Sequence, residues 1–169
     1  MDNTDSTCDK SAFRQLYENF SDRLRNFVYY KTGRAEIAED TVQESFLRLW
    51  KNCASVPYPK AQQFLYTVAQ NLLRDRFKHE KVVLKFRHQH REEASAESPQ
   101  YLLEEKEFKQ KLERAINALP EGQRLVFLMN RIDKRKYREI AEELGISQKA
   151  VEKRMHQALV TLRKELGKI

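Results

Sequence analysis

Hydrophobic residues recur along most of this chain at helical intervals, and no segment shows the two-residue alternation of a strand. Phe13, Leu16, Tyr17, Phe20, Leu24 and Phe27 follow i, i+3, i+4, i+7 spacing on one face, and Gly33 marks the break after that helix. A second helix is expected from about Glu36 to Trp50, burying Ile37, Val42, Phe46 and either Leu49 or Trp50 while Asp40, Gln43, Glu44 and Arg48 face elsewhere. Pro57 and Pro59 then force extended geometry on a loop from Asn52 to Lys60. A third helix, from about Ala61 to His79, carries an apolar stripe of Phe64, Leu65, Val68, Leu72 and Leu73 and a basic C-terminal half. The three stripes read as the core of a three-helix unit.

Near the other end, Tyr137-Arg-Glu-Ile-Ala-Glu-Glu-Leu-Gly-Ile-Ser147 followed by Gln148 to Ala158 reads as two short helices joined by a tight turn. Ala141 is small where the helices cross, and Gly145 can take the positive φ of the turn. Ile140, Leu144, Ile146, Val151 and Met155 seal the corner, and Ser147 is a good N-cap for the second helix. The outward positions of that helix, Gln148, Lys149, Glu152, Lys153, Arg154, His156 and Gln157, are polar or basic, as a helix entering a DNA major groove requires. A helical hairpin with a solvated outer face is the plainer alternative. Charge weighs against it: the chain carries net +7 with pI ≈ 9.4, and cations cluster near this motif.

Composition changes the picture in three ways. With 34% charged residues and only 4 Gly and 4 Pro in 169 residues, the fold class expected is all-α, and the length allows one domain of ordinary size or two small helical domains. Apolar runs fall far short of a membrane span, and Met1 to Asp9 is polar and acid-rich, unlike a signal peptide; a cytoplasmic protein without membrane insertion is expected. Cys8 and Cys53 lie far apart outside any CxxC pattern, so free reduced thiols are expected, with no disulfide or zinc site. His88 and His90 sit in a basic run and read as surface groups, so neither metal nor cofactor is expected.

Charge also divides the chain. Arg74, Arg76, Lys78, Lys81, Lys85, Arg87 and Arg91 form a basic stretch opposed by Asp75 and Glu80. The sign then inverts through Glu92, Glu93, Glu97, Glu104, Glu105 and Glu107. The division expected is a first domain over 1–81, a linker over 82–101 and a second domain over 102–169.

Two blocks carry a family resemblance. Asp40-Thr-Val-Gln-Glu-Ser-Phe-Leu-Arg-Leu-Trp50, followed by Phe64-Leu-Tyr-Thr-Val-Ala-Gln-Asn-Leu-Leu-Arg-Asp-Arg-Phe77, resembles region 2 of bacterial RNA polymerase sigma factors of the extracytoplasmic-function group. Leu119-Pro-Glu-Gly-Gln-Arg-Leu-Val-Phe127 with the helix-turn-helix is similar to region 4 of that group. The blocks cover most of the chain, in the family's order, with no sizeable domain between them.

The resemblance implies a non-enzymatic protein that binds core RNA polymerase and promoter DNA through three surfaces. The Asp-x-x-Gln-Glu face, here Asp40, Gln43 and Glu44, would dock on polymerase, where carboxylates on one helical face set register and on-rate. Phe46, Leu47 and Trp50 beside it divide between interface and core. Opened minus-10 DNA needs cations for its backbone and a pocket or aromatic face for an extruded base. The loop from Ser55 to Lys60, with Tyr58 and Lys60, then Gln62, Gln63, Asn71, Arg74, Arg76 and Lys78, supplies those groups. Tyr58 either stacks on a base or packs on the domain, and Asn71 either meets DNA or serves the structure. For the minus-35 element the candidates are Gln148, Lys149, Lys153, Arg154, His156 and Gln157, with Lys136 and Arg138 gripping phosphates beside the groove. Glu152 stands where many members carry Arg or Lys; it repels phosphate, and either accepts from a cytosine amino group or pairs with Lys149 or His156.

The Ile-Ser-x-Lys-x-Val-Glu-Lys arrangement resembles the iron-transport-type branch, often paired with membrane-spanning anti-sigma proteins, which implies an anti-sigma partner for a chain that is monomeric when free. The acidic linker reads either as a mimic of nucleic-acid charge or as a soluble tether. The rival to a sigma factor is an autonomous, dimeric helix-turn-helix repressor or activator that binds DNA without polymerase.

Overall fold

The computed structural model describes residues 6–76, 84–86 and 99–167. Among them are seven α-helices: α1 (Lys10–Thr32), α2 (Ala35–Lys51), α3 (Ala61–Arg76), α4 (Pro99–Ala118), α5 (Glu121–Arg131), α6 (Tyr137–Leu144) and α7 (Gln148–Leu166). Lys78, His88 and His90 lie outside the described residues.

Local chemistry sets the boundaries. Asp9 caps α1, its carboxylate accepting from Ala12 N at 2.9 Å, and Gly33 ends it in the left-handed region at φ 68°, donating to Tyr29 O. Pro57 is extended as expected, but Pro59 lies within one 3-10 turn over Tyr58–Lys60 that leads into α3. The loop is therefore partly helical, because proline's missing N–H costs nothing in a first turn.

α1, α2 and α3 pack around Leu16, Leu24, Phe27, Val28, Ala38, Val42, Phe46, Leu49, Leu65 and Ala69, all less than 5% exposed. Leu49, not Trp50, is the buried choice: Leu49 is fully buried and Trp50 is 40% exposed. Tyr66, missing from the expected stripe, is also buried, its ring edge-on to Phe27 at 5.1 Å. In the second half α7 packs against α4, α5 and α6.

The halves are in contact, α1 against α5 and α3 against α6, and their buried apolar residues form one connected cluster. Part of the stretch read as linker belongs to this packing. Leu84 is fully buried, its N–H donating to Asn117 Oδ1 at 2.7 Å and its carbonyl accepting from Asn117 Nδ2 at 3.0 Å. Lys85 exchanges two hydrogen bonds with the Tyr29 hydroxyl. Residues 84–86 are thus tied to α1 and α4, and Pro99 to Tyr101 already form the first turn of α4.

The expectation of free thiols is corrected. Cys8 and Cys53 form a disulfide, with Cα atoms 4.9 Å apart across 45 residues of sequence. The fold lays the turn before α1 against the turn after α2, a pairing that no local pattern announces.

Candidate nucleic-acid interface

The helical arithmetic of α2 puts Asp40, Gln43, Glu44 and Leu47 along one side, with Asp40, Gln43 and Leu47 exposed and Glu44 half-buried. Together with Leu72 and Arg76 of α3 they line a surface groove of about 500 Å³. Glu44 accepts from Arg48 Nε at 2.7 Å. Phe46 is core, held edge-on by Phe13 and Tyr17, whereas Leu47 (46% exposed) and Trp50 extend the acidic face with apolar surface. Phe13 supports the Trp50 ring at 5.0 Å.

Of the minus-10 candidates, Lys60, Gln63, Asn71 and Arg74 are exposed, and the last three share one face of α3. Lys60 and Gln63 line a second cleft of about 260 Å³ with Ser55, Val56, Pro57, Phe64 and Thr67. Tyr58 is half-buried and packs against the core. Arg76 is separated from this set. Two residues beyond Arg74 it turns away, onto the side where Leu72 and the α2 carboxylates lie.

The helix-turn-helix forms as its spacing requires. Gly145 sits at φ 64° and ψ 37°, and an added Cβ there would meet nothing within 4 Å, so its need is conformational, not steric. Ser147 Oγ accepts from Ala150 N at 3.1 Å. Ile140, Ala141, Val151 and Met155 are buried at the crossing, with Leu144 and Ile146 half-buried around it. Gln148, Lys149, Glu152, Lys153, His156 and Gln157 form the exposed face of α7. Glu152 accepts from Gln148 Nε2 at 3.1 Å, so its partner is neither Lys149 nor His156. Arg154 leaves this face: half-buried, its guanidinium lies across Gly122, where a Cβ would come within 3.3 Å of it. Lys136 and Arg138 are exposed at the start of α6, Arg138 Nε donating to Glu142 at 3.2 Å.

A cleft of about 550 Å³ brings the start of α3 and the turn of the helix-turn-helix together. Pro59, Gln62 and Gln63 form one wall, and Arg138, Glu142, Gly145, Ser147 and Gln148 the other. Gln62 Nε2 donates to Glu143 Oε1 at 3.3 Å across it. Glu143, whose side chain is 1% exposed, is paired with Arg135; burial raises its carboxyl, and Arg135 offsets part of that. Nearby Tyr66 Oη is buried without a hydrogen-bond partner, and burial pushes its hydroxyl well up.

Sequence reasoning missed the other contacts between the halves. Asp133 Oδ1 accepts from Asn26 Nδ2 at 2.9 Å and from Tyr30 Oη at 2.8 Å. Burial raises the Asp133 carboxyl despite both donors, and burial with Asp133 raises the Tyr30 hydroxyl. Lys31 pairs with Glu121 at 3.1 Å. Arg124, 5% exposed, donates to Tyr30 O at 3.4 Å and Leu119 O at 3.2 Å, closing the ends of α1 and α4; burial lowers its pKa. The one available signal was Asp133 itself, the single acid among Arg131, Lys134, Arg135 and Lys136.

Two packed helical halves, one bearing an exposed acidic-apolar face and the other a helix-turn-helix with a polar outer face, define the class as a helix-turn-helix protein. Residues 16–82 match the family model for Sigma-70 region 2, and residues 109–162 that for Sigma-70, region 4. The chain is 28% identical over 172 residues to the ECF RNA polymerase sigma factor SigW of Bacillus subtilis, covering 94% of this chain and 90% of that one. It is 28% identical over 162 residues to the ferric citrate uptake sigma factor FecI of Escherichia coli, covering 94% and 93%. Its fold is similar to that of the sigma factor RpoE of Bartonella quintana, solved with the anti-sigma factor NepR, at a TM-score of 0.62 and 17% identity over 91% of this chain and 96% of that one. The chain belongs to the sigma-70 family, in its extracytoplasmic-function group, and is an alternative sigma factor that directs promoter-specific transcription. Sigma factors as a class are not enzymes. Among the described residues no helix is long and apolar enough to cross a membrane, and no cluster of His, Cys, Asp and Glu is suited to a metal ion.

Proposed function

We propose that this chain works in the cytoplasm as a monomer, without catalysis of its own, through three separate surfaces. The α2 side with Asp40, Gln43, Glu44, Leu47 and Trp50 docks on core RNA polymerase. The cleft beneath the loop from Ser55 to Lys60, with Gln63, Asn71 and Arg74, receives the opened minus-10 strand. The exposed α7 face, with Lys136 and Arg138 beside it, reads the minus-35 element. The functional units are residues 1–81 and the C-terminal part beginning with α4, joined by the segment between them. An anti-sigma protein holds the chain inactive, in line with the NepR-bound relative.

The observation that carries this reading is the shared 550 Å³ cleft, where the start of α3 meets the turn and first residue of the recognition helix. Promoter elements named minus-10 and minus-35 lie 25 base pairs apart, roughly 85 Å along the duplex. A compact chain of this length has a radius of gyration of about 15 Å. The packed form therefore holds one DNA surface against the other, and promoter binding needs the halves apart, at a separation that polymerase fixes.

In vitro transcription with bacterial core polymerase on genomic DNA tests this, comparing the wild type with a triple variant Asp40→Ala, Gln43→Ala, Glu44→Ala. The expected result is stable core binding and promoter-specific transcripts, both lost in the variant. Dimers that retard duplex DNA alone, without core binding, would replace this reading with an autonomous regulator.

A further inference from the structure

The disulfide sits at the back of the loop assigned above to the minus-10 strand. Cys53 lies in the turn just before that loop, and Cys8 in the turn that precedes α1. Thr7, fully buried next to Cys8, points its hydroxyl at Cys53 O and Val56 O, both at 2.8 Å. Ser6 pairs with Pro57 in an antiparallel bridge. Val56 and Pro57 line the 260 Å³ cleft from the other side. The N-terminal turn is thus a brace behind the cleft, fastened at one end by a covalent bond. Cys8 is exposed and Cys53 half-buried, so the bond is within reach of solute thiols. Accessible disulfides are the labile, exchangeable ones, and in a reducing compartment such a pair rests as thiols until an oxidant closes it.

We propose that Cys8 and Cys53 are a reversible thiol–disulfide site that controls the order of the minus-10 loop, the closed disulfide favouring promoter opening. This rests on the assignment of that loop to the minus-10 strand. The exchange partner is a dithiol and its cyclic disulfide. One thiolate of the dithiol attacks Cys8 Sγ, and Cys53 leaves as a thiolate and takes a proton. The second thiolate then attacks its own sulfur in the mixed disulfide and releases the Cys8 thiolate, which is protonated in turn. Two electrons and two protons pass to the protein, and the dithiol becomes a ring disulfide. In the reduced state Thr7 and the single bridge at Ser6 are the remaining ties, and the loop must be ordered when DNA binds.

The full chain is equilibrated in reduced and oxidised dithiothreitol at set ratios, and the thiols are counted by alkylation and mass. Hydrogen exchange at the Ser55 and Val56 amides, both bonded to Asn52 O, reports the loop without reference to DNA. Core binding and permanganate reactivity of minus-10 thymines, on a promoter recovered in the transcription experiment, report its function. The expected result is a two-electron transition, with faster exchange at both amides and roughly tenfold weaker opening on reduction, the scale for ordering one loop, while core binding is unchanged. Cys8→Ser and the double variant Cys8→Ser, Cys53→Ser should match the reduced chain in every buffer. A transition without change in amide exchange or opening overturns the switch and leaves the sigma assignment standing, as does failure of the thiols to pair at any ratio. Altered amide exchange with core bound but no opening in either state overturns the assignment of the loop itself.

Discussion

Asp133→Ala removes the most concentrated polar link between the halves. One carboxylate oxygen accepts from both Asn26 and Tyr30 of α1, and Tyr30 is only 5% exposed. A hydrogen bond to a charged acceptor contributes about 1.5–3 kcal/mol, and an orphaned buried hydroxyl costs about 1–3 kcal/mol. Against this, burial of Asp133 is unfavourable, as its raised carboxyl pKa shows, so the two bonds do not add in full. The other direct polar links between α1–α3 and α4–α7 are weaker: Lys31–Glu121 is exposed on the glutamate side, and the Gln62–Glu143 and Arg124–Tyr30 bonds are long, at 3.3 and 3.4 Å. The variant is therefore expected to lose about 2 kcal/mol of closure, roughly a 30-fold shift toward the open form. Asp133→Asn keeps an acceptor and should lose about half as much. Hydrogen exchange at the Leu84 amide reads the opening, since its partner Asn117 is on α4 while Lys85 is held by Tyr29 of α1. If the packed form excludes DNA, apparent affinity for minus-35 duplex should tighten by up to about the same factor. Unchanged Leu84 protection together with unchanged DNA affinity would refute the idea that Asp133 latches the halves.

Two further outcomes are expected. Lys153→Ala on the exposed α7 face should weaken binding to all promoters and reduce the slope of log affinity against log salt by about one. Arg154→Ala should instead lower the urea midpoint and leave that slope alone, because its guanidinium covers Gly122. Glu143 supplies a pH test. Its raised carboxyl contributes stability that is present below the ordinary glutamate value and lost as pH rises through the raised one, so wild type should lose stability upward from about pH 4.5. In Glu143→Gln that component of the slope disappears, so the two profiles lie closest at low pH, where both side chains are neutral, and diverge as pH rises, the variant changing less; parallel profiles of urea midpoint against pH would contradict the assignment.

The helices and their ends were legible because their causes are local. Gly33, Gly145 and Ser147 each act within a turn of where they stand. The separation of Arg76 from Arg74 was also within reach, since 100° per residue puts Arg76 with Leu72 and away from Gln63. What stayed hidden depends on how distant segments meet. Leu84 in a charged stretch, Cys8 against Cys53 and Asp133 against α1 are chosen by tertiary packing, and nothing in their neighbourhoods marks a partner. Trp50 illustrates the remaining ambiguity: helical spacing gave it and Leu49 similar claims to the core, and the packed fold buries Leu49 while Trp50 rests against Phe13 at the surface.

The continuity of the apolar cluster through both halves has a thermal consequence. Separating them would bring apolar surface such as Leu84 into water, so opening carries a positive heat-capacity change. Burial of that kind weakens on cooling. The grip of one half on the other therefore slackens in the cold, and the packed form opens more readily as temperature falls.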